Sequence, residues 1–161
     1  MPAVRLPFRR SPWVGVPLLV AAAAAMLVVA GCATVGMGKA KVTVTVTAAP
    51  TANSCGRPTG YPLTFRVLQV TDGSVLSGVT LTQVWDKESA LLKAALVDKQ
   101  ESFVDPGGRR ELELERKPNA TAVIVVANYC RSNGTCWYHV QPLSQGGSVK
   151  LLAGADCLSA K

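Results

Sequence analysis

Between Lys41 and Thr47 the chain reads Lys-Val-Thr-Val-Thr-Val-Thr, with a β-branched residue at every position after the lysine. Two heavy substituents on each Cβ crowd a helical turn but fit a pleated sheet. Period two sets Val42, Val44 and Val46 on one face and the threonines on the other, which predicts a half-buried strand. The same period returns at Arg110–Arg116, where Leu112 and Leu114 alternate with Glu111, Glu113 and Glu115. The glutamates could suggest a cation site, but the wet face of an antiparallel strand accounts for them.

Further strands are predicted at Leu63–Thr71, Lys99–Val104, Thr121–Ala127, Trp137–Gln141 and Ser148–Leu152, separated by turns such as Asp72-Gly73-Ser74 and Asp105-Pro106-Gly107-Gly108. Thr121–Ala127 is almost wholly apolar, as expected of a central strand covered on both faces. Trp137–Gln141 is expected as its hairpin partner. The middle differs. Leu81, Val84 and Trp85 fit helical spacing, and Leu91, Leu92 and Ala95 form a second apolar side after Asp86–Ser89, so one or two short helices are expected. Thr80, Thr82 and Val84 also share period two, which keeps a strand open there. The expectation is an all-β chain, a two-sheet antiparallel β-sandwich with a short helical insertion.

The N-terminal segment has its own logic. Arg5, Arg9 and Arg10 precede a stretch, Trp13 to Gly31, without a charge. A basic head, an apolar middle and small residues before a cut are the marks of an export signal. The run is long enough to cross a bilayer, so a retained helix is the alternative. Val29-Ala30-Gly31-Cys32 decides between them, because it resembles the lipobox of bacterial lipoproteins, in which the cysteine thiol takes a diacylglycerol. Residues 1–31 are then a signal peptide, 32–40 a lipidated, Gly-containing tether and 41–161 the sandwich domain. Ala33, rather than Asp, follows the cysteine; in enteric-type bacteria that favours the outer membrane.

Three of the 17 basic residues and none of the 10 acidic ones lie before Cys32, which leaves a net charge of +4 on the remainder. Nothing in it is denser than Arg109-Arg110 or Arg116-Lys117, so no basic stripe for nucleic acid is present. Four cysteines follow Cys32: Cys55, Cys130, Cys136 and Cys157. An even count in an oxidising compartment implies two disulfides, for which three pairings exist. Cys130 and Cys136 flank a turn-forming stretch and are expected to pair across the hairpin, leaving Cys55 for Cys157. A metal site of Cys130, Cys136 and His139 is the rival; it lacks a fourth ligand and the short Cys-x-x-Cys spacing. His139 is the chain's one histidine, and no nucleophile elbow, phosphate loop or His-Glu-x-x-His is present, so no catalytic residue, cofactor or metal is expected.

The order of motifs adds to this. Gly56-Arg57-Pro58, Pro62 to Val70, Leu81 with Val84-Trp85-Asp86 and Leu91-Leu92, Val104-Asp105-Pro106-Gly107, the strand Ala122 to Ala127 with Tyr129, and Trp137-Tyr138 follow one another. This series resembles the TssJ (also VasD or SciN) lipoproteins of type VI secretion over nearly the whole chain after the tether. Leu68 stands where that family often has Tyr, and the four cysteines are not a general family feature. The resemblance implies a transthyretin-like sandwich, an outer-membrane anchor facing the periplasm, and binding to the periplasmic C-terminal region of the inner-membrane protein TssM, and through it TssL. It also implies that the loop between the first two strands, Ala49 to Pro62, contacts the partner, with Arg57, Pro58, Thr59 and Tyr61 as the contact residues. Aromatic and arginine side chains are enriched at interfaces. A periplasmic module for a small ligand, or a lysozyme-type inhibitor, is the alternative, since a sandwich does not fix function.

Overall fold

The computed structural model describes residues 40–132 and 134–161; the signal segment, Cys32 and most of the tether lie outside the described residues. Among the described residues, eight strands and one α-helix form β1 (Lys41–Ala48), β2 (Leu63–Val70), α1 (Leu81–Leu92), β3 (Leu96–Val104), β4 (Arg109–Glu115), β5 (Ala122–Ala127), β6 (Tyr138–Pro142), β7 (Ser148–Ala153) and β8 (Leu158–Ala160). Two four-stranded sheets face each other, in the orders β4-β1-β7-β8 and β3-β2-β5-β6. The sandwich and its helical insertion match the expectation, with one exception. β1 and β7 run parallel, Val44 beside Val149 and Val46 beside Leu151, in sheets whose other pairs are antiparallel. Hairpin logic cannot see this pair, because the two strands are joined through the whole intervening chain.

Alternation does what the sequence implies. Val42, Val44 and Val46 are fully buried and share rows with Leu114, Leu112, Val149 and Leu151 on the inner face of the first sheet. In the second sheet, Leu63, Phe65 and Val67 line the inner face, and every residue of β5 is buried. β5 lies between β2 and β6, with its hairpin register pairing Val126 with Tyr138. β6 begins at Tyr138, one residue later than expected, with Trp137 buried just before it. Their rings touch, with centroids 4.6 Å apart.

Gln69 is the polar member of the inner face of β2 and is fully buried. Its Nε2 donates to the Glu115 carbonyl at 2.9 Å, and its Oε1 accepts from the Lys117 amide at 2.9 Å. One amide side chain thus pins the end of β4 to the opposite sheet. Gln69→Leu is expected to keep the volume but strand both backbone groups, lowering stability by about 1–3 kcal/mol in urea denaturation.

α1 resolves the ambiguous middle. Thr80 Oγ1 accepts from the Gln83 amide at 3.3 Å, and Gln83 Oε1 accepts from the Thr80 amide at 2.9 Å, a reciprocal capping box that starts the helix. The helix is kinked at Lys87 (φ −125°, ψ 24°), within the expected interruption, and a single 3₁₀ turn, Lys93–Ala95, follows it. Its buried stripe is Leu81, Val84, Glu88 and Leu92, whereas Leu91, expected on the inner side, is 36% exposed. Leu81, Val84, Glu88 and Leu92 recur at helical spacing, so Glu88 lies on the sheet-facing stripe with the three apolar residues.

Glu88 is tolerated there because Arg66 meets it. The outward-facing Arg66 of β2 donates through Nη1 to Glu88 Oε2 at 2.8 Å and to the Trp85 carbonyl at 3.1 Å. Its guanidinium lies 3.9 Å from the centroid of the Trp85 ring, and its Nε reaches Glu101 at 2.8 Å. A single arginine therefore caps the broken helix at its kink, stacks on its tryptophan and neutralises its buried acid.

Candidate partner interface

The strand directions sort the loops into two poles. Ala40 enters β1 at one pole, beside Arg116 and Gly147. Loop 49–62, turn 105–108, loop 128–137 and turn 154–157 gather at the other.

All four cysteines are at this second pole, in an order that corrects the expected pairing. Cys55 bonds to Cys130, and Cys136 bonds to Cys157. The hairpin argument fails because the chain leaves the β5–β6 ladder after Ala127, whose amide donates to the Trp137 carbonyl, before Cys130 is reached. Tyr129 then turns inward, its hydroxyl donating to the Cys157 carbonyl at 2.8 Å. Burial, aided by the charge of Asp156, pushes that hydroxyl far above its ordinary pKa, so it remains a donor. The Cys130 amide donates to Asn53 Oδ1 at 2.9 Å, and the Leu158 amide to the Cys136 carbonyl at 2.7 Å, drawing each cysteine to a different neighbour. The result is a chain of staples: loop 49–62 to loop 128–137, and loop 128–137 to turn 154–157.

Loop 49–62 has a fixed base and an open tip. Ala52, Asn53 and Ser54 are buried. The amides of Asn53 and Ser54 donate to the carbonyls of Gly154 and Ala155, and Asn53 Nδ2 donates to the Pro62 carbonyl at 3.2 Å. The Tyr61 amide donates to the Ala52 carbonyl at 3.0 Å, closing the loop on itself. Only glycine fits at Gly60, where a Cβ would lie 2.5 Å from the Ala52 carbonyl oxygen. The tip holds the expected contact residues: Arg57, Pro58, Thr59 and Tyr61 are all exposed. Arg57 Nη1 donates to the Tyr61 hydroxyl, with the guanidinium 5.6 Å from the ring centroid. The arginine and the tyrosine thus hold each other at the tip, by a hydrogen bond and a long cation–π contact.

Asn53, the clamp of the base, and Arg131, on the neighbouring loop, were not among the expected residues. Asn in a Pro- and Gly-rich loop with positive φ (52°) is a signal of such a clamp. Among the described residues no cluster of three or more His, Cys, Asp or Glu could hold a metal ion.

No curated protein matches the chain. Among solved structures, Serratia marcescens Lip, a membrane-bound component of the type VI secretion system, is similar with a TM-score of 0.66 at 17% identity, over 77% of this chain and 97% of that one. The lipoprotein TssJ1 from Pseudomonas aeruginosa is similar with a TM-score of 0.66 at 20% identity, over 77% and 96%. A chain in the structure described as "T6SS protein TssM C-terminal domain (869-1107) from EAEC" is similar with a TM-score of 0.64 at 13% identity, over 75% and 97%. At these identities the likeness shows the fold. Membership comes from the sequence: residues 40–156 match the family described as "Type VI secretion lipoprotein, VasD, EvfM, TssJ, VC_A0113". The chain belongs to the type VI secretion lipoprotein family, whose members are structural components and not enzymes.

Proposed function

We propose that this lipoprotein is tethered through lipid on Cys32 to the outer membrane, faces the periplasm, and binds the periplasmic C-terminal region of a TssM-like inner-membrane protein, and through it TssL, in the type VI membrane complex. The observation that carries the reading is the division of the sandwich into two poles. The chain enters β1 at one, and loop 49–62 stands exposed on a stapled base at the other. A tether entering on one side and a preordered contact loop on the opposite side suit a link between two membranes. Preordering matters because a loop already held in place loses less conformational freedom on binding. The occurrence of the same fold in a chain of the TssM C-terminal domain structure supports the partner.

An affinity pull-down of tagged, lipidated protein from its native cell envelope, with the inner and outer membranes separated, tests this. TssM- and TssL-like proteins are expected in the eluate. Their absence, with intact protein in the inner membrane, would sink both the partner and the location.

A further inference from the structure

Loops 49–62 and 128–137 together contain two arginines, Arg57 and Arg131, and not one Asp or Glu. The acids of this pole sit on the other two turns: Asp105 on the β3–β4 turn, and Asp156 beside Tyr129. Both arginines are exposed. The Cys55–Cys130 bond places each next to the same staple, Arg131 directly after Cys130 and Arg57 two residues after Cys55. Gly56 brings them closer. A Cβ there would lie 2.6 Å from Arg131 Nη1, so the guanidinium of Arg131 lies across the bare Gly56 backbone, beside Arg57. Arg57 donates to Tyr61; for Arg131 no carboxylate partner is present among the described residues. The two loops thus present two arginines around one staple and no acid, and a planar guanidinium can grip a carboxylate from outside in a bidentate fashion.

We infer that Arg57 and Arg131 form one cationic patch that receives an acidic segment of the periplasmic protein partner, making loop 128–137 a second contact element beside loop 49–62. This rests on the partner reading above and specifies its chemistry. An anionic lipid surface is the lesser fit, because the patch lies at the pole opposite the point where the chain enters the domain.

The test uses the full-length lipidated protein in detergent and the purified periplasmic C-terminal region of the TssM-like protein from the same organism. Arg131→Glu is expected to weaken binding by about tenfold or more, chiefly through slower association, while Arg131→Lys loses less. The wild-type affinity should fall more steeply with salt than that of Arg131→Glu. The melting temperature should not change, since Arg131 is exposed. Wild-type binding that Arg131→Glu and salt leave unaltered would overturn the patch and leave the partner reading standing. No wild-type binding at all would overturn the reading itself. Capture by vesicles of anionic lipid, lost in Arg131→Glu, with no effect of that variant on protein binding, would likewise overturn the inference.

Discussion

Arg66→Ala is expected to cost about 3–5 kcal/mol of folding stability, a large share of what a domain of this size has in reserve. The argument is one of stranded groups. Glu88 has a side chain only 5% exposed, and its Oε1 has no hydrogen-bond partner among the described residues. Its Oε2 would be left with Lys99 Nζ, 3.6 Å away on a half-exposed side chain. The Trp85 carbonyl would lose its donor at the kink, and the tryptophan would lose the cation on its face. Arg66→Lys should recover little, because an ammonium cannot serve Glu88, Glu101 and the Trp85 carbonyl in one plane. Removing both charges, as in Arg66→Met with Glu88→Leu, should restore much of the loss, since a buried pair replaced as a pair by apolar groups is often near neutral. Urea unfolding of the four proteins measures this. A loss below about 1 kcal/mol for Arg66→Ala would show that the acid is solvated and the arginine incidental.

Replacing Cys55 and Cys130 by serine is expected to be the second large effect, about 2–4 kcal/mol. The bond closes a loop of 75 residues, against 21 for Cys136–Cys157, so loop closure makes it the larger contributor to the unfolded-state constraint. The local consequence is more informative. Without the staple, the base of loop 49–62 keeps its Asn53 and Tyr61 hydrogen bonds but loses its covalent tie to loop 128–137. Backbone hydrogen exchange should rise over both loops while β1, β2 and β5 stay protected. A uniform rise across the sandwich would mean that the staple holds the whole fold rather than this pole. Peptide mapping of the unreduced protein should recover Cys55 with Cys130 and Cys136 with Cys157.

The strands with a strict period declared themselves. β1, β4 and β5 carry their burial in their composition, and each lies where alternation or an unbroken apolar run implies. β8 is a three-residue strand that exists because turn 154–157 folds the C-terminus back on β7, which no local pattern announces. The helix was legible one level deeper than hydrophobic spacing: Thr80 and Gln83 have the spacing of a capping box, which a strand has no use for. The cysteine pairing was not legible, because turn composition between Cys130 and Cys136 says nothing of where the ladder ends. The Arg66–Glu88 pair joins β2 to α1, and no local pattern says which strand the helix packs against. At the candidate interface, the motif order around Gly56-Arg57-Pro58 led to Arg57, Pro58, Thr59 and Tyr61, and the structure shows these four to be exposed. Arg131 becomes their neighbour only once Cys55 is bonded to Cys130.

The claim at the centre of this account is that the stapled pole is where the partner docks. Titration calorimetry between the protein and the periplasmic C-terminal region of the proposed TssM-like partner, with wild type and with the double variant Arg57→Ala, Tyr61→Ala, tests it most directly. Both side chains are exposed and touch mainly each other, so the variant should melt as the wild type does. Binding by the wild type and a loss of about tenfold or more in the variant is the predicted result. A variant that binds as tightly as the wild type would move the contact away from this pole and contradict the account.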